Sequence, residues 1–472
     1  MTRVSVELGN MPVVGAGPRA EVTRSWTRRR QVLAAPAALG ASAVLAACAG
    51  GGQSGGGDAA AGLGANGFTF KQSVQLTYWK SLEGPRHDAQ VKLTDDFNAK
   101  RSDVKVSLEH VGSYAAAAEK LTAALAASTP PDVMLLTVDQ HMPAFARQGA
   151  LHPLDEYAKT DKSAQFDKYA PGFIKNGTVG GKLYQIPFAR STPLLYYNKD
   201  HLKAAGLPET APSTWDQLVE MGQRLSRSGV LQNASDEPRQ RAIPSAAYWW
   251  AFQSMLWSFG GKYSDDKFTP ALTQNESVQA MEHLVDMVKR HQVARAYKTA
   301  ANSQTAFMQG QLSFLMVSTA QLSELEQAAP FRVGAAFMPS KKERAVPGGG
   351  SGLTVMNSIP REKKEAGWEY AKFVTNTPNT VYFSQATGYM AVRTDAIDQP
   401  EYKKYLADNP NAKVTFDQMQ YVRTQDSIVE VPQVTPAIEA AMWQILGEDK
   451  PVRQTFEELQ RQMVNLAQNI KK

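Results

Sequence analysis

The clearest fold signal in this chain of 472 residues is the run Val133-Met134-Leu135-Leu136-Thr137-Val138, which is apolar at all but one position. Such a run predicts a parallel β-strand that is covered on both faces. Directly upstream, the alanine-rich segment 115–127 has high helix propensity. Before that segment, Val104, Val106 and Leu108 alternate with polar residues, which predicts another strand.

The same alternation continues toward the N-terminus. Val74 and Leu76 lie in a short strand pattern, and Ala89, Leu93 and Phe97 recur at four-residue spacing, as one face of a helix does. The resulting β-α-β-α-β order predicts an α/β fold with a doubly wound lobe.

The rest of the chain carries further periodic segments. Amphipathic helices are predicted near residues 278–288 and 452–470. Apolar runs at 312–317 and 353–356 are consistent with buried strands, although periodicity alone leaves helix open. About 400 ordered residues exceed what a single core usually serves, so we expect two domains.

The N-terminal region has the pattern of an export signal. A basic segment with Arg29 and Arg30 precedes an apolar segment at 32–47, and small residues stand ahead of Cys48. This order predicts a cleaved signal peptide over residues 1–47. The arginine pair resembles a twin-arginine signal, and ordinary secretion is the alternative.

Cys48 is the only cysteine, so no internal disulfide can form. It ends the tetrapeptide Leu45-Ala46-Ala47-Cys48, which resembles a bacterial lipobox, in which the cysteine becomes the new N-terminus and carries lipid. The alternative is a buried structural cysteine. Glycine-rich residues 48–67 predict a flexible tether. We therefore expect a protein of the cell envelope, lipid-anchored on the extracytoplasmic face of the membrane.

Charge and motifs argue against several classes of function. Residues 1–47 hold six arginines and two glutamates, so their removal lowers the formal charge from +6 to +2. A nearly balanced surface gives no reason to expect nucleic acid as a partner. The seven histidines form no metal-binding pair at helical spacing, and Ser351 lacks the glycine pattern of a nucleophile elbow. We expect no metal, no cofactor and no catalytic residues.

Aromatic side chains are the unusual feature instead. Tyr248, Trp249 and Trp250 stand together, with Trp257 close behind. An indole face can lie against the C–H face of a sugar or polyol, and it can also hold a quaternary ammonium group. The alternative is that these tryptophans only fill the core.

Several segments of the chain carry a resemblance to known proteins. The first is the sequence FARSTPLLYYNK at residues 188–199, followed by AGLP at 205–208 and STW at 213–215. These segments resemble the extracellular solute-binding proteins of carbohydrate ABC importers. Four more segments are GGSGL at 349–353, YFSQATGYMAV at 382–392, DNP at 408–410 and RTQD at 423–426. They resemble the subgroup that binds glycerol-3-phosphate and glycerophosphodiesters such as glycerophosphocholine.

The resemblance implies a two-lobed flytrap fold with a hinge, each lobe being a sheet flanked by helices. The N-lobe is expected to comprise residues 68–187 and about 319–375, and the C-lobe residues 188–318 and about 376–472. The implied partners are a small solute and the transmembrane subunits of an ABC permease, and we expect a monomer.

The resemblance also implies ligand contacts at matching positions. Arg423 would hold a phosphate with its guanidinium fork, and its alternative role is an ion pair. Asp139 would accept hydrogen bonds from glycerol hydroxyls, and its alternative role is a helix N-cap. The other implied ligand-binding residues are Tyr114, Ser191, Trp249 or Trp250, Ser318, Gly350 and Tyr389. Arg190 has two open interpretations, contact with phosphate or bracing of the hinge.

The expected function is therefore capture of glycerol-3-phosphate or a glycerophosphodiester for delivery to a membrane permease. A neutral oligosaccharide is the alternative ligand, because aromatic clefts suit sugars. A remote alternative is a lipid-anchored glycerophosphodiester hydrolase, which would require a metal or an acid–base pair.

Overall fold

The computed structural model describes residues 67–231 and 241–468. The predicted signal peptide, Cys48 and the tether as far as residue 66 lie outside the described residues. None of the helices in the described part is long and apolar enough to cross a membrane.

Strands and helices alternate along most of the chain. The strands are β1 (Val74–Lys80), β2 (Val104–His110), β3 (Val133–Thr137), β4 (Thr178–Val179), β5 (Lys182–Leu183), β6 (Ile186–Ser191), β7 (Pro193–Asn198), β8 (Ile243–Ala246), β9 (Ala294–Tyr297), β10 (Phe314–Ser318), β11 (Val333–Ala336), β12 (Val346–Pro347), β13 (Gly349–Val355) and β14 (Val422–Arg423). The helices of the first half are α1 (Pro85–Lys100), α2 (Tyr114–Ala126), α3 (His141–Arg147), α4 (Asp155–Thr160), α5 (Pro171–Asn176), α6 (Lys199–Ala204), α7 (Trp215–Ser228) and α8 (Trp249–Phe259). Those of the second half are α9 (Asn275–Lys289), α10 (Ala300–Met308), α11 (Leu322–Ala328), α12 (Arg361–Val374), α13 (Thr377–Thr387), α14 (Pro400–Asp408), α15 (Pro410–Asp417), α16 (Val434–Gly447) and α17 (Val452–Gln468).

The N-lobe, as we use the term from here, is the five-stranded sheet β2-β1-β3-β13-β6 with the helices packed on it. Strands β1, β2 and β3 run parallel, whereas β13 pairs antiparallel with both β3 and β6. The predicted β-α-β-α-β order is confirmed, because α1 and α2 connect these parallel strands. The predicted run at 133–138 forms β3, whose first four residues are fully buried.

Local sequence explains where the first two helices begin and which face they bury. Pro85 stands at the first position of α1, where its missing N–H and fixed φ are well tolerated. Helix α1 buries Leu93 and Phe97, two residues of the predicted apolar face. Ser113 caps α2, since its side chain accepts a hydrogen bond from the backbone N–H of Ala116.

The C-lobe is built around the three-stranded antiparallel sheet β10-β7-β11 and the parallel pair β8–β9. The predicted helices near 278–288 and 452–470 are α9 and α17, which pack against each other. Their buried residues Met281, Phe456 and Met463 belong to the same hydrophobic core. The apolar runs at 312–317 and 353–356 lie largely in strands β10 and β13.

The predicted lobe boundaries need correction in three places. Strand β6 remains in the N-lobe sheet as far as Ser191, and β11 pairs with β7 of the C-lobe although it was expected in the N-lobe. Helix α13 packs on α1, and Met390 and Val392 lie in the N-lobe core although they were expected in the C-lobe. The chain thus crosses between the sheets at positions set by strand pairing, which local sequence patterns do not encode.

Candidate functional site

The candidate site lies at one edge of the N-lobe sheet. The carboxyl ends of β1, β2, β3 and β6 meet there, together with the amino end of the antiparallel strand β13. Open α/β sheets bind ligands outside the carboxyl ends of their strands. Tyr114, Asp139, Ser191 and Gly350 all lie within four residues of these strand ends or on them, so the fold brings four predicted contacts to one edge.

A hydroxyl cluster forms one wall of the site. The Tyr114 hydroxyl lies 3.0 Å from Oγ of Ser351, and the buried Tyr389 stacks on Phe383 with ring centroids 5.7 Å apart. Burial raises the pKa of Tyr114 well above its usual value, and the nearby Tyr389 raises it further. Both phenols therefore stay neutral and can donate hydrogen bonds to a ligand.

Two glycines bring β13 close to its neighbours. Gly350 has φ +87°, and a Cβ atom there would lie 2.0 Å from the carbonyl oxygen of Ala189 on β6. A Cβ atom on Gly349 would lie 2.4 Å from the indole ring of Trp250. Glycine at both positions lets strand β6 and a tryptophan of the C-lobe approach the same piece of backbone.

The aromatic segment 248–250 begins helix α8. The ring of Trp250 faces Gly349 and lies 6.0 Å from the ring of Tyr248, whereas the Trp249 carbonyl accepts a hydrogen bond of 2.7 Å from the Tyr263 hydroxyl. Both tryptophans also belong to the C-lobe core. Trp250 is therefore the one that the structure places against the site strand.

Glu439 of α16 lies near the backbone N–H of Trp249, at the start of α8. Burial raises the pKa of Glu439 to about 7. Its charge also contributes to the field at Tyr248. An ionisable carboxyl group therefore stands behind the aromatic wall.

Asp139 follows β3 and lines a cavity of about 40 Å³ together with Asn176, Gly348 and Thr424. Its Oδ1 atom accepts a hydrogen bond of 2.9 Å from the backbone N–H of the next residue. It is not the N-cap of α3, since that position belongs to Gln140. The carboxylate therefore stands at a polar cavity instead of capping the helix.

The two predicted serines lie near the crossing from β6 to β7. Ser191 is buried at the end of β6, opposite Gly349. Ser318 ends β10 opposite Pro193, and its Oγ accepts a hydrogen bond of 3.1 Å from the backbone N–H of Ala320. Both hydroxyls are thus close to the strand crossing, and Ser318 also stabilises a turn.

Arg423 differs from this group in where its side chain points. Its backbone lies beside the site, since its carbonyl accepts a hydrogen bond from Gly348. Its side chain is 48% exposed, and its guanidinium group forms a bidentate pair with Glu343, at 3.0 and 2.7 Å. The ion pair that sequence reasoning held as the alternative is what the structure contains.

Arg190 is instead fully buried. Its guanidinium lies over the ring of Phe173, with 4.9 Å from its carbon to the ring centroid, and beside Asn176. Burial lowers the pKa of Arg190 to about 9, and the nearby Asp139 opposes this shift. The group therefore remains cationic at neutral pH.

Sequence reasoning missed three polar residues of this edge, namely Lys80, Asn176 and Ser351 as a partner of Tyr114. Lys80 ends β1, is fully buried and donates a hydrogen bond of 2.9 Å to the carbonyl of Leu82. Burial lowers the pKa of its ammonium group to about 8. Its position at the carboxyl end of a predicted parallel strand was the signal that could have identified it.

Contacts between the lobes flank the site. Gln140 on the N-lobe side is hydrogen-bonded to Thr435, and Arg147 of α3 pairs with Glu430. The Arg147 guanidinium also lies 5.4 Å from the ring centroid of Phe268. Within residues 67–231 and 241–468, no cluster of three His, Cys, Asp or Glu residues could hold a metal ion.

Comparisons with known proteins agree with this architecture. A family model described as bacterial extracellular solute-binding protein matches residues 92–412. The sn-glycerol-3-phosphate-binding periplasmic protein UgpB of Yersinia enterocolitica is 28% identical over 363 residues, covering 73% of this chain and 80% of the relative. The protein of the same name from Escherichia coli K12 is 25% identical over 362 residues, with the same coverage of 73% and 80%.

Solved structures show the same fold. UgpB from Mycobacterium tuberculosis, in complex with glycerophosphocholine, superposes with a TM-score of 0.75 and 32% identity, covering 84% of this chain and 99% of that one. Maltose-bound MalE3 of Thermotoga maritima gives a TM-score of 0.71 at 23% identity, with 83% and 100% covered, and supports the fold alone. The predicted two-lobed α/β flytrap fold is confirmed. With this fold, and with a family match over most of its length, the chain belongs to the bacterial extracellular solute-binding proteins.

Proposed function

We propose that this protein captures glycerol-3-phosphate or a glycerophosphodiester outside the cytoplasm and delivers it to an ABC permease. The observation that carries the proposal is the site edge itself. It combines neutral hydroxyls at Tyr114 and Tyr389, a carboxylate at Asp139 and an indole at Trp250 with a buried cation at Arg190. These groups suit a ligand with glycerol hydroxyls and an anionic phosphate. The names of the UgpB relatives support the same ligand class.

The proposed mechanism is capture without catalysis. Ligand contacts from both lobes favour closure, and the pairs Gln140–Thr435 and Arg147–Glu430 are placed to hold the lobes together. Lipid on Cys48 and the tether of residues 48–67 would keep the protein near the permease, which raises its effective concentration there. A monomer suffices for this role.

Arg423 stays a proposed phosphate contact, on the condition that its ion pair with Glu343 opens. To reach a phosphate, its guanidinium group must release both carboxylate oxygens of Glu343. Ser191, Ser318 and Gly350 remain proposed contacts near the strand crossing. We propose Trp250 as the stacking platform because its ring lies against Gly349.

The first experiment is thermal unfolding of the protein without residues 1–47, alone and with glycerol-3-phosphate, glycerophosphocholine or a maltodextrin. A ligand at about 100 times its dissociation constant stabilises the folded state by about 2.7 kcal/mol. We expect stabilisation by a phosphate compound and none by the maltodextrin. Stabilisation by the maltodextrin alone would instead assign a neutral oligosaccharide. Release of glycerol-3-phosphate from glycerophosphocholine over time would reveal the hydrolase alternative.

A further inference from the structure

We propose that Gln418 is a positioning residue for ligand capture, which links two of the chain crossings between the lobes and thereby sets the angle at which the lobes close. Gln418 begins the 3₁₀ turn Gln418–Tyr421, directly before strand β14 and Arg423. The inference concerns the hinge, and it rests on the proposed function only where ligand affinity is measured.

The two crossings are short and lie between strands that are fixed in their sheets. Thr192 stands between β6 of the N-lobe sheet and β7 of the C-lobe sheet. The second crossing starts after β11 of the C-lobe, near Met338, and leads to β13 of the N-lobe sheet. Hinge closure is absorbed by a few residues at such element ends. A side chain that is bonded to both crossings can therefore control the angle between the lobes.

The side chain of Gln418 is fully buried and is bonded to both crossings. Its Nε2 atom donates hydrogen bonds of 2.7 Å to Oγ1 of Thr192 and to the carbonyl of Pro193. Its Oε1 atom accepts a hydrogen bond of 3.2 Å from the backbone N–H of Met338. All three bonds go to residues of the crossings, so the amide holds one crossing against the other.

Thr192 is bonded through its backbone as well. Its carbonyl accepts a hydrogen bond of 2.9 Å from the backbone N–H of Thr319, the residue after β10, and its own N–H donates to Oγ1 of Thr319 at 3.4 Å. Thr192, Thr319 and Gln418 are all fully buried. A buried polar network whose members are all bonded is rigid and specifies one arrangement. The first crossing is therefore fixed relative to the C-lobe, and movement between the lobes takes place on the N-lobe side of Thr192.

The segment from Gln418 to Arg423 runs along the second crossing. Gln418 is bonded to Met338 at the start of this crossing, and strand β14 pairs with β12 near its end. The backbone N–H of Gly348 then donates a hydrogen bond of 3.1 Å to the carbonyl of Arg423. The second crossing is thus supported along its length, and the backbone of Arg423 is held in place with it.

Gln90 offers a matched control inside one lobe. It is also a buried glutamine, whose Oε1 accepts a hydrogen bond of 2.7 Å from the Tyr78 hydroxyl and whose Nε2 donates one of 3.1 Å to the carbonyl of Arg86. Strand β1 and helix α1 of the N-lobe supply both partners. Loss of either amide leaves buried polar groups unpaired and lowers stability. Only the loss of Gln418 should also change the movement of the lobes.

The test compares the wild type with Gln418→Met, Thr192→Val, Thr192→Ser and Gln90→Met by isothermal titration of glycerol-3-phosphate and of glycerophosphocholine. Methionine has about the size of glutamine but makes none of its hydrogen bonds. The apparent Kd rises as the fraction of protein in the binding-competent arrangement falls, so we expect Gln418→Met to weaken binding by about 10-fold. Thr192→Val loses one of the three bonds, and we expect a loss of about threefold. Thr192→Ser, which keeps the hydroxyl, and Gln90→Met should retain affinity within about twofold.

Small-angle X-ray scattering without ligand provides a readout of the lobe angle. The ligand-free Gln418→Met protein should have a larger radius of gyration than the wild type, because its lobes open over a wider range, and saturating ligand should restore the wild-type value. Gln90→Met should keep the wild-type radius and only unfold at a lower urea concentration. A Gln418→Met protein that is destabilised like Gln90→Met, with unchanged radius and affinity, would show a merely structural role and overturn the proposal.

A double variant checks that Gln418 and Thr192 act through the same bond. Gln418→Met combined with Thr192→Val should lose no more affinity than Gln418→Met alone, because the bond between them is already absent. Losses that multiply would contradict a shared network. If Gln418→Met fails to fold, Thr192→Val and Thr192→Ser decide by the same two measurements, and equal behaviour of this pair overturns the proposal.

The two levels of proposal fail in different ways. A wild-type protein that binds no phosphate compound refutes the proposed function, whereas the ligand-free scattering still tests the role of Gln418. A wild type that binds, with Gln418→Met equal to it in affinity and radius of gyration, refutes only the role of Gln418.

Discussion

Replacement of Gly350 by alanine tests whether close strand approach builds the site. Its φ of +87° is unfavourable for an L-residue, which costs about 1–2 kcal/mol. The new methyl group would also lie 2.0 Å from the carbonyl oxygen of Ala189, so β6 and β13 would have to move apart by about 1 Å. Strand separation disrupts the ladder between them, and we expect a total loss of about 4 kcal/mol in unfolding free energy.

Gly149→Ala is the matched control. Gly149 also has a positive φ, of +71°, but a Cβ atom there would meet nothing within 4 Å. Only the unfavourable positive φ then destabilises the variant, so we expect a loss of about 1 kcal/mol in unfolding free energy. Urea unfolding followed by tryptophan fluorescence measures both variants. Equal losses in the two variants would refute the steric reasoning, and unchanged ligand affinity in Gly350→Ala would show that this strand does not shape the site.

Two further predictions concern the surroundings of the site. Glu439→Gln should alter the pH dependence of stability. Burial raises the folded-state pKa of Glu439 to about 7, so its contribution to the free energy of unfolding is present below about pH 4.5 and is lost as the pH rises toward 7. Urea midpoints between pH 4.5 and 8 should therefore fall more steeply in the wild type than in the variant, and parallel curves would contradict this cause. Arg147→Ala should weaken ligand binding by up to about fivefold, since the interlobe pair with Glu430 is worth up to about 1 kcal/mol. Lys404→Ala, which breaks a pair within one helix, is the titration control, and an equal effect there would argue against an interlobe role.

Local patterns predicted much of the N-lobe correctly. Burial could be predicted from the apolar run that forms β3 and from the four-residue spacing of apolar residues in α1. The side chains on one face recur at a different spacing in a strand than in a helix, so the spacing indicates both the element and its buried face. The resemblance implied Asp139 as a ligand contact, and the structure has this residue shortly after β3, at the carboxyl-end edge of the sheet. Lobe membership after residue 319 was less predictable, because it depends on which distant strand β11 and α13 meet.

The predicted export signal at residues 1–47 and the charge balance depend only on composition and residue order, so they can be inferred from the chain without any fold. The contrast between Arg190 and Arg423, by comparison, cannot be inferred without the fold. Arg190 and Arg423 are chemically identical, and each stands in a segment that carries the resemblance, Arg190 in one for the broad family and Arg423 in one for the subgroup. Arg190 becomes buried beside Asn176 because helix α5, which carries Asn176, packs on the edge strand β6, whereas Arg423 meets Glu343 at the surface. Desolvation and pairing depend on neighbours that are distant in sequence, so these two properties arise only when the chain is folded.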